Sequence, residues 1–139
     1  IMKDRNNKEM KSNKPSEYTM NSWGKYVDVN STDKTLTREV HVKPRGCISY
    51  RRHNKKSKLW MVAKGKINIV LNDNPIILSE FDVAVIPQHV WHTAYLEAGS
   101  EPVIIIETWF SKTGELLEDD IERKSLPEFV SLYIGYNGI

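Results

Sequence analysis

The sequence predicts an all-β fold, a sandwich or a barrel, and three observations carry that expectation. Val and Ile together number 24, against 9 Leu and only 4 Ala. Stiff β-branched side chains suit strands, whereas a helical bundle is richer in Ala and Leu. From Trp23 onward, short apolar runs alternate with turn signals at close spacing, the pattern of a sandwich or barrel. The chain is also the right size: 139 residues suggest one domain. Such a domain buries about two-thirds of its unfolded surface. Apolar residues make up 40% of it, which excludes wholesale disorder.

In chain order, residues 1–20 are rich in Lys, Asn and Ser and hold too few apolar side chains to offset ordering. They are expected to form a flexible arm. Strands are predicted at 25–29 and 36–42, then at 47–53 after the turn signal Pro44-Arg45-Gly46. The next pair, 59–63 and 66–71, is divided by Lys64-Gly65. Asn72-Asp73-Asn74 makes a hairpin tip before the strand at 75–78, because Asn and Asp tolerate left-handed backbone. Strands at 83–86 and 91–96 follow, and Ala98-Gly99-Ser100 precedes the last, 103–110. Residues 117–123 and 127–134 are expected to form short helical turns. The expected organisation is an arm over 1–20, a barrel over 21–123 and an extension over 124–139.

Charge is distributed unevenly. The net charge is only +2, yet residues 1–66 carry 17 basic and 6 acidic side chains while residues 67–139 carry 3 and 12. Within 38–66 ten basic residues face only Glu39. The single Cys47 excludes an internal disulfide framework and a multi-cysteine zinc site. No apolar run approaches the roughly 20 residues that span a bilayer. No signal-peptide pattern is present, so a cytoplasmic protein is expected.

Several motifs then fall in a recognisable order. Gly46 and Gly65 stand at the spacing of the first cupin motif, and Pro87-Gln88-His89-Val90-Trp91-His92 keeps the Pro and final His of the second. Trp23-Gly24-Lys25-Tyr26, the stretch Val42-Lys43-Pro44 to Gly46, and Ile48-Ser49 match more closely. So do Trp60-Met61-Val62 with Gly65, Ile106-Glu107, and Leu117-Glu118-Asp119-Asp120-Ile121 with Arg123. Over residues 22–123 the chain resembles the type II mannose-6-phosphate isomerase domain of the cupin superfamily. That domain also forms the C-terminal part of bifunctional guanylyltransferase/isomerase proteins. The resemblance implies a cupin double-stranded β-helix, or jelly-roll barrel, with short C-terminal helical turns.

The family's metal site, three His and one Glu, is degraded here. The isomerase register places its ligand slots at His53, Lys55 and Lys58; the generic cupin spacing places them at Arg52, Asn54 and Lys58. Either way Lys58 stands where Glu belongs, and a protonated Lys has no lone pair to give. No cofactor is expected; if a divalent metal were held, His53 and His92 are its two available ligands. Strand alternation puts Arg51, His53 and Lys55 on one face. A positive pocket is therefore expected from Arg38, Arg51, Lys55, Lys58 and the two His, with Glu107 as a partner. Phosphate suits such a pocket, being matched by Arg forks and Lys point charges. Plainer readings stand beside this one. The 51–56 cations also suit an exposed basic turn, Trp60 and Trp91 suit the core, and Glu118-Asp119-Asp120 suits a solvated acidic run.

The expected ligand is therefore a sugar phosphate or nucleotide sugar. In the enzymatic reading, an aldose–ketose isomerase or epimerase uses His53, His92, Lys55 and Lys58 as catalytic groups, and Arg38, Arg51, Lys55, Lys58 and Glu107 to bind substrate. The alternative is a non-catalytic cupin that binds an anionic sugar or regulates its pathway. Mannose or polysaccharide metabolism is implied by the resemblance alone. A homodimer is expected; membrane and nucleic-acid partners are not.

Overall fold

The computed structural model describes residues 17–135. Most of the arm expected over 1–20 lies outside the described residues. Eleven strands and one helix are present among them. A six-stranded sheet has the order β1-β2-β3-β10-β5-β8, and a five-stranded sheet the order β11-β4-β9-β6-β7. The long strands are β2 (Gly24–Ser31), β3 (Thr35–Val42), β5 (Ser57–Lys64) and β10 (Val103–Phe110). The short ones are β1 (Thr19–Asn21), β4 (Tyr50–Arg52), β6 (Ile67–Leu71), β7 (Asn74–Leu78), β8 (Val83–Ile86), β9 (His92–Tyr95) and β11 (Glu122–Lys124). All pairings are antiparallel. The helix α1 spans Glu128–Gly135. No helix among the described residues is long and apolar enough to cross a membrane.

Period-two alternation builds the core. In β3, β5 and β10 every second side chain is buried. Ile67, Ile69 and Ala94 from the second sheet, with Ile48 and Leu96 from the segments flanking its strands, meet them in one apolar cluster. The buried face is graded along each strand. It runs Val42, Val40, Arg38 on β3, then Val62, Trp60, Lys58 on β5, then Ile105, Glu107, Trp109 on β10. Register locks these rows together, pairing Glu107 with Arg38 and Trp60, and Trp109 with Lys58. One end of the barrel is therefore apolar and the other charged. The charged end is where a ligand site belongs, because a buried polar group is costly without a partner.

Turn chemistry follows the residues. Asn72 and Asp73 both adopt positive φ, at 45° and 65°, and turn β6 into β7. The Tyr50 hydroxyl donates to Asp73 Oδ1 at 2.7 Å and accepts from the Asp73 N–H at 2.8 Å. Gly46 is needed for close approach, since a Cβ there would lie 2.3 Å from the Trp23 carbonyl oxygen.

Two parts differ from expectation. Thr19 and Met20, assigned to the arm, pair with β2 as an edge strand. Residues 117–123 are not helical but run through a turn into β11, which pairs with β4. The Asp120 carboxylate accepts the backbone N–H groups of Asn54 at 3.0 Å and Lys55 at 2.9 Å. Glu122 accepts from Arg52 at 2.9 Å and Asn54 at 2.8 Å. These four bonds hold the segment extended along the edge of β4. The second expected helical stretch, 127–134, does become α1. It sets Val130 against Tyr50, Val70 and Tyr95 on the outer face of the small sheet.

Candidate functional site

A cavity of about 300 Å³ opens at the charged end, between the two sheets and the C-terminal segment. Its floor is an ion pair. Lys58 Nζ lies 3.1 Å from Glu107 Oε1, and both side chains are buried, at 3% and 7% exposure. Glu107 also accepts the Trp60 indole N–H at 2.8 Å. Burial pushes the Glu107 carboxyl up, but Lys58, the Trp60 N–H and Arg38 outweigh it and hold the group at about 2. Glu107 is thus a carboxylate that is already engaged twice.

Arg38 stands beside Glu107 on the neighbouring strand β3. Its guanidinium lies 3.8 Å from the Tyr26 ring centre and 4.5 Å from that of Trp109. It donates to Asp28 at 2.7 Å and to Glu118 at 2.6 Å. Burial opposes its charge, and those two carboxylates overcome the penalty and raise its pKa. Arg38 lines the cavity with its charge already answered on both sides. Glu118, expected in a solvated acidic run, is indeed largely exposed and also lines this cavity.

Two other guanidiniums form no ion pair among the described residues: Arg123 is exposed, and Arg51 feels Glu107 and Glu118 only at longer range. Arg51 on β4 and Arg123 on β11 are direct cross-strand partners, and both line the cavity. Among the described residues no carboxylate forms an ion pair with either. Arg51 Nε is held by Ser49, with its hydroxyl at 3.0 Å and its carbonyl at 3.3 Å. Burial lowers the Arg51 pKa, and the charge of Arg123 lowers it further. Like charges directly opposite on a sheet repel. An anion in the cavity would relieve that repulsion.

His53 and His92 lie beside this floor and are buried. Their ring centres are 5.2 Å apart. His53 Nδ1 contacts the Asp120 carbonyl at 2.6 Å, and His92 Nδ1 contacts the Val90 carbonyl at 2.9 Å. In a neutral ring those contacts put the proton on Nδ1 and leave a lone pair on Nε2. Both Nε2 atoms are buried and without a hydrogen-bond partner. Burial, then the Lys58 charge, lowers His53 to about 3; the bond to Asp120 opposes this. The same two causes hold His92 well below its ordinary value.

The donor set does not fit the metal centre that the resemblance implies. Two imidazole lone pairs are present, but the third position holds an ammonium group bonded to Glu107. Among the described residues no group of three or more His, Cys, Asp or Glu could hold an ion.

Lys55 corrects the sequence reading. Its side chain is half exposed, 3.4 Å from Glu115, and does not line the cavity. β4 ends at Arg52, so the alternation that placed Arg51, His53 and Lys55 on one face breaks at the turn that follows. Lys56 turns inward instead. It donates to the Leu117 carbonyl at 2.6 Å and sits 3.5 Å from the Trp109 ring centre. Burial, then the Lys58 charge, brings its ammonium down to about 8. Sequence reasoning missed Arg123, Glu118 and Lys56 as parts of this end. The only signal for the first two was the Leu117–Arg123 motif, read as a mark of resemblance rather than as a wall.

Comparisons with known proteins agree with this architecture. A family model described as mannose-6-phosphate isomerase C-terminal matches residues 5–125. The alginate biosynthesis protein AlgA of Pseudomonas fluorescens is 31% identical over 102 residues, which is 73% of this chain and 20% of the relative. The mannose-1-phosphate guanylyltransferase ManC of Salmonella typhimurium is 26% identical over 98 residues, 70% of this chain and 20% of the relative. The chain thus spans about a fifth of the length of these curated relatives. Among solved structures, KdgF from Halomonas sp. superposes with a TM-score of 0.64 at 17% identity, covering 76% of this chain and 94% of that one. A cupin-2 domain protein from Rhodospirillum rubrum gives 0.62 at 17% identity, covering 78% and 70%. The fold is the cupin double-stranded β-helix.

Proposed function

The chain belongs to the mannose-6-phosphate isomerase C-terminal family, and from that premise we propose that its cavity binds a phosphorylated sugar or nucleotide sugar without a metal ion. One observation carries the reading: Arg51 and Arg123 face each other across β4 and β11, line the cavity, and lack a carboxylate partner among the described residues. Two guanidiniums suit a phosphate, which offers oxygens to both forks. Trp23 and Tyr26 line the same cavity with their rings stacked at 6.5 Å, an apolar wall for a sugar ring. The relatives named for alginate synthesis and mannose-1-phosphate guanylyl transfer support a place in mannose and polysaccharide metabolism. A cytoplasmic location goes with such ligands.

Calorimetry with mannose 6-phosphate, mannose 1-phosphate and unphosphorylated mannose tests this. The phosphates bind and mannose does not. Arg51→Ala and Arg123→Ala each weaken the phosphates about 10-fold or more, the worth of a charge-assisted hydrogen bond. Equal binding of mannose and its phosphates, or binding untouched in both variants, sinks the reading.

Family membership favours a second, enzymatic reading: isomerisation or epimerisation of the bound sugar. That chemistry needs a base and an electrophile at adjacent atoms. Lys58 and Glu107 line the cavity, whereas the His53 and His92 Nε2 atoms are closed off beneath it. Turnover of mannose 6-phosphate that persists in EDTA supports this version, and binding without turnover across a sugar-phosphate panel removes it. The expected homodimer belongs to the same proposal. Its natural surface is the exposed apolar row Ile77, Phe81, Val83 and Val85 around the edge strands β7 and β8. A single monomeric species in sedimentation velocity would overturn it.

A further inference from the structure

The charged end of the barrel holds two unused lone pairs beside a fixed positive charge. Each imidazole is oriented by a backbone carbonyl on Nδ1, at 2.6 Å for His53 and 2.9 Å for His92. Each Nε2 is left buried with no partner. An unsatisfied buried acceptor costs free energy, and two side by side call for an explanation. Two rings that share one divalent ion through Nε2, at about 2.1 Å each, stand roughly 5 Å apart centre to centre. The observed separation is 5.2 Å. The spacing of the two rings is therefore compatible with a shared ion, and the place of a third ligand is filled by Lys58.

Lys58 is buried at the cavity floor and tied to Glu107 at 3.1 Å. An ammonium offers protons and no lone pair, and its charge repels a cation. Glu107 cannot serve as the missing donor while it answers Lys58 and Trp60 together.

We propose that Lys58 is the resident cation of this site: its ammonium closes the His53–His92 pair to divalent metal ions, and residue 58 alone decides whether the pair takes one. The ion admitted by a carboxylate at position 58 is a first-row divalent metal, which imidazole and carboxylate ligands suit. This inference does not depend on which sugar the cavity binds.

Zinc titration of the full chain, followed by calorimetry and by metal analysis after dialysis, tests it. The wild type is expected to retain no stoichiometric zinc. Lys58→Glu is expected to retain one equivalent, at least about 100-fold more tightly than the wild type, and to rise in Tm when zinc is added. Adding His92→Ala to Lys58→Glu should abolish both effects. Lys58→Gln keeps the side chain near its original size, supplies a neutral amide oxygen, and should show a weaker gain of the same kind. If both position-58 variants fold and neither gains zinc, the proposal is wrong. The wild type supplies the remaining arm, through the imidazole nitrogen resonances of His53 and His92. They should not move on adding zinc; movement that saturates at one equivalent would overturn it.

Discussion

Replacing Glu107 by Gln is expected to destabilise the protein by about 3–5 kcal/mol, the usual cost of leaving a buried charge without its partner. Lys58 and Glu107 are 3% and 7% exposed and 3.1 Å apart. The glutamine keeps the shape and still accepts from Trp60, so the change removes charge and little else. Lys58 would then face a barrel wall whose other cations are Arg38 and Arg51, both of which disfavour its charge. Two other carboxylates on this wall, Asp28 and Glu118, are engaged by Arg38 at 2.7 and 2.6 Å. The double variant Glu107→Gln/Lys58→Met should recover most of the loss, since no charge is then stranded. Urea unfolding followed by circular dichroism, arranged as a double-mutant cycle, measures this. A single-variant loss under about 1 kcal/mol, or simple additivity, contradicts the pairing.

The same residues show how far the sequence could be read. Every strand expected from β-branched runs and turn signals is present, because local alternation and the turn residues agree with the barrel. Lys58, Glu107, Arg38 and Arg51 line the cavity, and the His53 ring lies 6.4 Å from that of Trp109 and 5.2 Å from that of His92, behind the lining. What failed was non-local. Arg123 and Glu118 reach the cavity only because Asp120 and Glu122 bind the turn at 52–55, more than 60 residues earlier in the chain. No local pattern encodes that pairing, and an acidic run beside a possible helix reads as solvated. Lys55 and Lys56 were exchanged for a different reason. Alternation predicts sides only while the strand lasts, and β4 stops at Arg52. The charge asymmetry along the chain is resolved in the same contacts. Acidic groups from the second half, Glu107, Glu118, Asp120 and Glu122, bind the basic stretch of the first.

Stability should fall steeply in acid, beginning near pH 6.5 rather than in the carboxylate range. His53 and His92 are both held below the 6.5 of a free imidazole, His53 to about 3 and His92 well below. The groups responsible are burial first and then charge: Lys58, Lys56 and Arg51 act on His53, while Lys58 and His53 act on His92 against Glu107. Below 6.5 the unfolded chain binds two protons that the folded chain refuses. Protonation therefore favours unfolding, and stability drops as pH falls. Each imidazole contributes a slope of about 1.4 kcal/mol per pH unit, so while both rings refuse the proton the slope approaches roughly 2.7 kcal/mol per pH unit below about pH 6. Glu107 adds to the loss lower down. Its folded value near 2 lies under the 4.5 of a free carboxyl, so its contribution is complete above 4.5 and disappears on the way to 2. A domain with about 5–15 kcal/mol in hand loses a large part of it before its exposed carboxylates titrate. Urea midpoints measured from pH 7 down to pH 4.5 should show the two-proton slope. His92→Gln should halve it, and His53→Gln/His92→Gln should leave it nearly flat above pH 4.5. A wild-type slope below one proton, or imidazole resonances that titrate near 6.5 in the folded protein, would mean that these rings are wetter than their burial beside Lys58 allows.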